Sequence, residues 1–118
     1  MALWKPDPTF YPSPRDAAAA PPEKLAYVAA FSRPADSPDA IAVLDVDPDS
    51  ATYGTVVGFT ELPYTGDELH HFGWNACSSA LCPYAPHPHT ERRYLVVPGL
   101  RSSRIYILDT KDLSLIHI

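Results

Sequence analysis

No run of apolar residues in this chain approaches the ~20 that a membrane-crossing helix requires, since even the alanine tract at positions 17–20 is bracketed by Asp16 and Pro21. No membrane partner is expected. Basic residues are also scarce. The 9 Lys plus Arg against 14 Asp plus Glu leave a formal net charge of −5, without the basic stripe that a nucleic-acid groove needs. Nucleic acid is therefore not an expected partner. The segment before Lys24 lacks a basic start followed by an apolar stretch, so no secretory signal is legible and a cytoplasmic location is expected. There are only two cysteines, Cys77 and Cys82, too few for a disulfide scaffold and equally suited to being free thiols.

Proline, by contrast, is abundant. Fourteen prolines in 118 residues argue against a helical protein, because each removes a backbone donor and fixes its own φ. Residues 1–23 read as a Pro-rich N-terminal arm in extended conformation, and the alanine tract is too short to sustain a helix alone. From Lys24 the pattern changes to short apolar runs separated by turn residues. These predict strands at 25–31, 41–46, 55–62, 94–97 and 104–108. Residues 41–47 and 105–111 echo one another, each an apolar strand running into Asp. Repeated antiparallel units of this kind predict an all-β chain built of propeller blades, about one to two of them over residues 24–112. A blade cannot bury both faces alone, so further repeats are expected to complete it.

The stretch from Glu68 to Ser79 concentrates chemistry: a carboxylate, the adjacent imidazoles of His70 and His71, the indole of Trp74 and the thiol of Cys77. Imidazoles bind metals or move protons near neutral pH, a thiol serves as ligand or nucleophile, and Gly73 offers the backbone extra freedom. On a loop, adjacent histidines can reach one ion, whereas on a strand they would point to opposite faces. The structural alternative has one histidine beneath Trp74 and the other bonded to a loop carbonyl. For Cys77 the alternative is burial as a small apolar residue. His87 and His89, alternating with proline, are expected to be solvated. Arg101 and Arg104 flank two serines in a turn and could clamp an anion, although a solvated turn is the expectation.

The words Leu44-Asp45-Val46-Asp47-Pro48, Asp67-Glu68-Leu69-His70-His71, Gly73-Trp74-Asn75, Cys77-Ser78-Ser79 and Leu100-Arg101-Ser102-Ser103-Arg104-Ile105-Tyr106 resemble, in order and spacing, the N-terminal part of the selenium-binding protein family, also known as methanethiol oxidases. The resemblance covers about residues 24–111, and segment 82–93 looks closer to the bacterial branch, for which a periplasmic location is the alternative. It implies a longer parent folded as a seven-bladed β-propeller, of which this chain is an N-terminal fragment. It further implies copper-dependent oxidation of methanethiol to formaldehyde, hydrogen sulfide and hydrogen peroxide. On that reading His70 and His71 are metal ligands, Glu68 orients a ring, and Cys77 is the candidate catalytic thiol. The partners would be methanethiol and the remaining blades, and the isolated chain would be inactive.

Departures from the family pattern narrow this. Ala80 stands where many relatives have a second cysteine, and Gly54 stands where vertebrate members have one linked with selenium. Selenium binding is thus not carried over. A non-enzymatic propeller module, binding metal, thiol or selenium ligands or protein partners, remains the other reading. Residues 113–118 look like the translation of a sequencing-library adapter and are expected to be foreign to the fold; the alternative is a genuine terminal strand.

Overall fold

The computed structural model describes residues 13–33, 36–75, 92–111 and, for the backbone alone, 114–117. A short helix, α1 (Pro14–Ala19), is followed by β1 (Leu25–Ala30), β2 (Pro38–Asp45), β3 (Val56–Thr65), β4 (Gly73–Trp74), β5 (Tyr94–Pro98), β6 (Ile105–Asp109) and β7 (Ser114–His117). Every pairing is antiparallel. The strands form two sheets, β1-β2-β3 and β4-β5-β6-β7, consistent with an all-β propeller fragment. No helix among the described residues is long and apolar enough to cross a membrane.

Helix α1 corrects the expectation of a wholly extended arm. Alanine propensity alone does not sustain one and a half turns, but the flanking residues supply the missing nucleation. The Ser13 hydroxyl accepts from the Asp16 N–H at 3.2 Å, Pro14 occupies the first helical position, and Asp16 lies in the first turn. Each of these favours a helix start. Strand β4 was also not expected. It is two residues long and is defined by its pairing with β5 some twenty positions on. Residues 114–117, expected to be foreign, continue the second sheet by pairing with β6.

The two sheets share one core. Ile41 and Leu62 from the first sheet meet Leu95, Val97, Tyr106 and Leu108 from the second, with Leu69 between them. Because side chains alternate across a strand, the rows Leu95–Leu108 and Val97–Tyr106 lie on one face of the second sheet. The row Ala29–Ile41–Thr60 faces them from the first. The opposite face of the first sheet carries Ala26–Leu44–Val56 and Val28–Ala42–Phe59. On it Val28, Val56 and Phe59 are 43–58 % exposed.

The expected echo is present in register. Leu25 pairs with Asp45 and Ala26 with Leu44, as Tyr94 pairs with Asp109 and Leu95 with Leu108. Each Asp is buried and accepts from the N–H two residues on, Asp47 at 2.9 Å and Lys111 at 3.0 Å. Likewise the Val46 N–H donates to the Lys24 carbonyl at 2.9 Å and the Thr110 N–H to the Arg93 carbonyl at 3.0 Å. The two hairpins are one repeated unit.

Candidate functional site

The loop that follows β3 turns back under the second sheet. At its start Asp67 is fully buried, a position a carboxylate tolerates only when its oxygens are satisfied. Here Tyr106 donates its hydroxyl at 2.6 Å and Arg104 a guanidinium N–H at 3.1 Å, and Ser102 donates its hydroxyl as well. Burial acts to raise the Asp67 pKa, but the Ser102, Tyr106 and Arg104 donors outweigh it and hold the carboxyl below its ordinary range. Burial, reinforced by Asp67, pushes the Tyr106 phenol up to about 12. Gly99 is required beside this cluster, since a Cβ there would lie 2.5 Å from the Ser102 hydroxyl and 3.1 Å from the Asp67 Cβ.

Next along the chain, Glu68 takes φ +51° and pairs with Arg101. Arg101 and Arg104 were expected to be solvated. Both side chains are exposed, Arg101 at 75 %, and they pair with consecutive carboxylates of the protein's own loop; the Leu100 and Arg101 N–H groups donate to the Glu68 and Asp67 carbonyls at 2.9 and 3.1 Å. Leu69 is buried and forms a bridge with Gly99, while its N–H donates to Asp39 at 3.1 Å. The His70 N–H donates to the Pro98 carbonyl at 3.0 Å.

His70 therefore behaves as a strand residue, and an extended His71 would point to the opposite face. The backbone prevents this by turning into the left-handed region at His71, φ +47°. The two rings then lie on the same side, centroids 4.6 Å apart, with their Nδ1 atoms 2.9 Å from one another. One Nδ1 carries the shared proton and the other accepts it. Phe31 stacks on His70 at 6.5 Å, nearly parallel. Gly73, from which conformational freedom was expected, is an ordinary strand residue; positive φ falls on Glu68 and His71 instead. Neither histidine packs beneath Trp74, whose indole meets the Tyr27 ring edge-on at 5.5 Å and the Arg92 guanidinium at 4.8 Å.

Two imidazole nitrogens bound to one ion at ~2.0–2.1 Å each stand roughly 3 Å apart. The His70 and His71 pair fits that spacing, and imidazole suits copper. Among the described residues no group of three His, Cys, Asp or Glu side chains forms a metal cluster. The Glu68 carboxylate turns to Arg101 and fixes the loop from which both rings project. Cys77, Cys82, His87 and His89 lie outside the described residues. Gly54 has φ +77° and donates its N–H to the Asp45 carbonyl at 2.8 Å, so this position serves a tight turn. Asp67 and Asp39 were missed as site residues because their partners lie some thirty or more positions away; Arg101 was singled out as an anion clamp, but not as the partner of Glu68. The Asp67-Glu68 and Arg101-to-Arg104 charge pattern was the signal available.

A family model described as 56 kDa selenium binding protein (SBP56) matches residues 4–116. Among curated proteins, the chain is 50 % identical over 103 residues to selenium-binding protein 2 of Arabidopsis thaliana, covering 86 % of this chain and 20 % of that protein. It is 41 % identical over 101 residues to methanethiol oxidase of Mus musculus, covering 84 % and 21 %. The X-ray structure of a hypothetical selenium-binding protein from Sulfolobus tokodaii matches with a TM-score of 0.81 and 58 % identity, over 94 % of this chain and 26 % of that one. The chain thus spans about a fifth of the length of the curated relatives it matches.

Proposed function

Because this chain belongs to the 56 kDa selenium binding protein family, we infer that it is the N-terminal part of a copper-dependent methanethiol oxidase, with the His70–His71 loop supplying one portion of the metal site. The observation that carries the reading is the pair of Nδ1 atoms facing each other at 2.9 Å, brought to the same side by the left-handed backbone at His71. The reaction consumes methanethiol, O2 and water and forms formaldehyde, hydrogen sulfide and hydrogen peroxide, which balances in every element. Bound copper would supply the redox chemistry with O2. The chain's own contribution is to orient: Arg101 fixes Glu68, the Pro98 carbonyl fixes the His70 backbone, and Phe31 supports the His70 ring. Cys77, six positions beyond His71 in the sequence, is the candidate thiol, and the other metal ligands would come from further blades. Alone, the chain is expected to be inactive.

A second reading, a non-enzymatic propeller module that binds metal, thiol or selenium ligands or protein partners, draws on the two-imidazole count of the described site. Copper content and peroxide release of the full-length protein given methanethiol separate the two. Bound copper with thiol-dependent peroxide supports the oxidase. A full-length protein that binds no copper and consumes no thiol overturns it.

A further inference from the structure

Phe31 stacks on His70 at 6.5 Å with the two ring planes 8° apart, yet Phe31 is itself 57 % exposed. Little apolar burial therefore holds it in place. A mostly solvated ring keeps its station over an imidazole only if the backbone on each side of the stack is fixed. The residue after Phe31 and the residue before His70 end on the same carboxylate. The Ser32 N–H donates to Asp39 Oδ1 at 2.8 Å and the Leu69 N–H to Asp39 Oδ2 at 3.1 Å.

An irregularity in β2 puts Asp39 where it can do this. The register between β2 and β3 shifts between Pro38 and Ala40, and a break of that kind re-aims the side chain it falls on. Asp39 is buried, a position a carboxylate keeps only with its oxygens satisfied. Its two acceptors serve segments seven positions before it and thirty after it. The Asp67 cluster also holds this loop, but its donors Ser102, Arg104 and Tyr106 all come from the β5–β6 hairpin. Asp39 instead ties the loop to the connection between β1 and β2, which carries Phe31.

We propose that Asp39 is a positioning residue for the His70–His71 site: by bonding the Ser32 and Leu69 N–H groups with one carboxylate, it sets the Phe31–His70 stack and so the direction in which His70 Nδ1 faces a metal. The proposal rests on the reading of the imidazole pair as part of a metal site. Two converging N–H groups call for a side chain with two acceptors and no donor. A carboxylate meets that need, whereas an amide turns an NH2 group toward one of the pair. Asp39→Asn therefore keeps the shape and one bond and releases the other.

Histidine-selective NMR of the copper-free, full-length protein, at a pH well above the ordinary imidazole range, tests this together with copper affinity by equilibrium dialysis. The His70 ring-proton signals, identified by their loss in His70→Gln, are expected to move in the same direction in Asp39→Asn as in Phe31→Leu, which removes the stacked ring outright. Copper affinity is expected to fall about tenfold in both variants. Asp39→Asn that lowers the urea midpoint but leaves the His70 signals and copper affinity of the wild type overturns the proposal, since the carboxylate would then only stabilise the fold. Should Asp39→Asn not fold, Phe31→Leu decides, because that side chain is mostly exposed: unchanged His70 signals and copper affinity again overturn the proposal. A wild-type protein that binds no copper defeats the metal reading alone, and the His70 signals of the copper-free protein still report whether Asp39 sets the ring.

Discussion

Glu68 and His71 both sit at positive φ, a conformation that costs a non-glycine residue roughly 1–2 kcal/mol, and both lie within one turn of the imidazole pair. The exposed tie between Glu68 and Arg101 adds to the buried Asp67 cluster and the Leu69 and His70 backbone bonds that hold this loop. On the oxidase reading proposed above, Glu68→Ala is expected to retain both histidines yet weaken copper binding by the full-length protein about tenfold, as loss of a ligand-orienting contact does elsewhere. Equilibrium dialysis measures it, and unchanged affinity would show that Arg101 does not position the site. Gly99→Ala should destabilise by about 2 kcal/mol in urea titration, because the new methyl meets a hydroxyl already committed to Asp67. Asp45, Asp67 and Asp109 all have lowered carboxyl pKa values. Their contribution is therefore full above the unfolded value near 3.9 and is lost as pH falls through the lower folded values. The urea midpoint should stay level down to about pH 4 and then drop, a limb that Asp67→Asn makes shallower. The His-His pair was legible as a motif, but the left-handed turn that brings its rings together was not, since no glycine marks it.

At the scale of elements, the strands were legible because proline and aspartate punctuate apolar runs. The five expected strands fall within a few residues of β1, β2, β3, β5 and β6. Strand β4 was hidden because a two-residue strand has no period to read, and α1 because its Ser13 cap outweighs the shortness of the alanine tract. The paired aspartates give the repeat its energetic signature. Asp45 accepts from the Ser50 and Thr52 hydroxyls at 2.5 and 2.6 Å, whereas Asp109 accepts from the Arg93 guanidinium. Charge-assisted bonds are the stronger kind, so Asp109→Ala is expected to lower the urea midpoint more than Asp45→Ala in the same titration. Equal losses would mean that the shared backbone bond, not the side-chain partner, carries both positions.

For the molecule as a whole, the outer face of the first sheet is the weak point. Its Val28, Val56 and Phe59 are exposed together, a contiguous apolar patch of the sort that drives association. The isolated 118-residue chain is expected to self-associate in sedimentation experiments. Phe59→Lys should reverse this, because a charge at the centre of the face opposes its burial against a second copy. A fragment that stays monomeric at high concentration would contradict the expectation. The all-β antiparallel class, consistent with a propeller, was readable from the echo between 41–47 and 105–111, whereas a number of blades is not legible in a stretch of two sheets.

The connectivity of the two sheets also sets an order of events during synthesis. Each observed strand of the first sheet bonds to its neighbour in sequence, so β1, β2 and β3 can assemble within moments of leaving the ribosome, as local contacts do. The outer edge of β1 then waits for whatever pairs with it. Among the described residues no strand lies on that side, so from the moment the sheet forms it presents a template for strand addition. The second sheet closes later, because β4 must wait for β5 some twenty positions on.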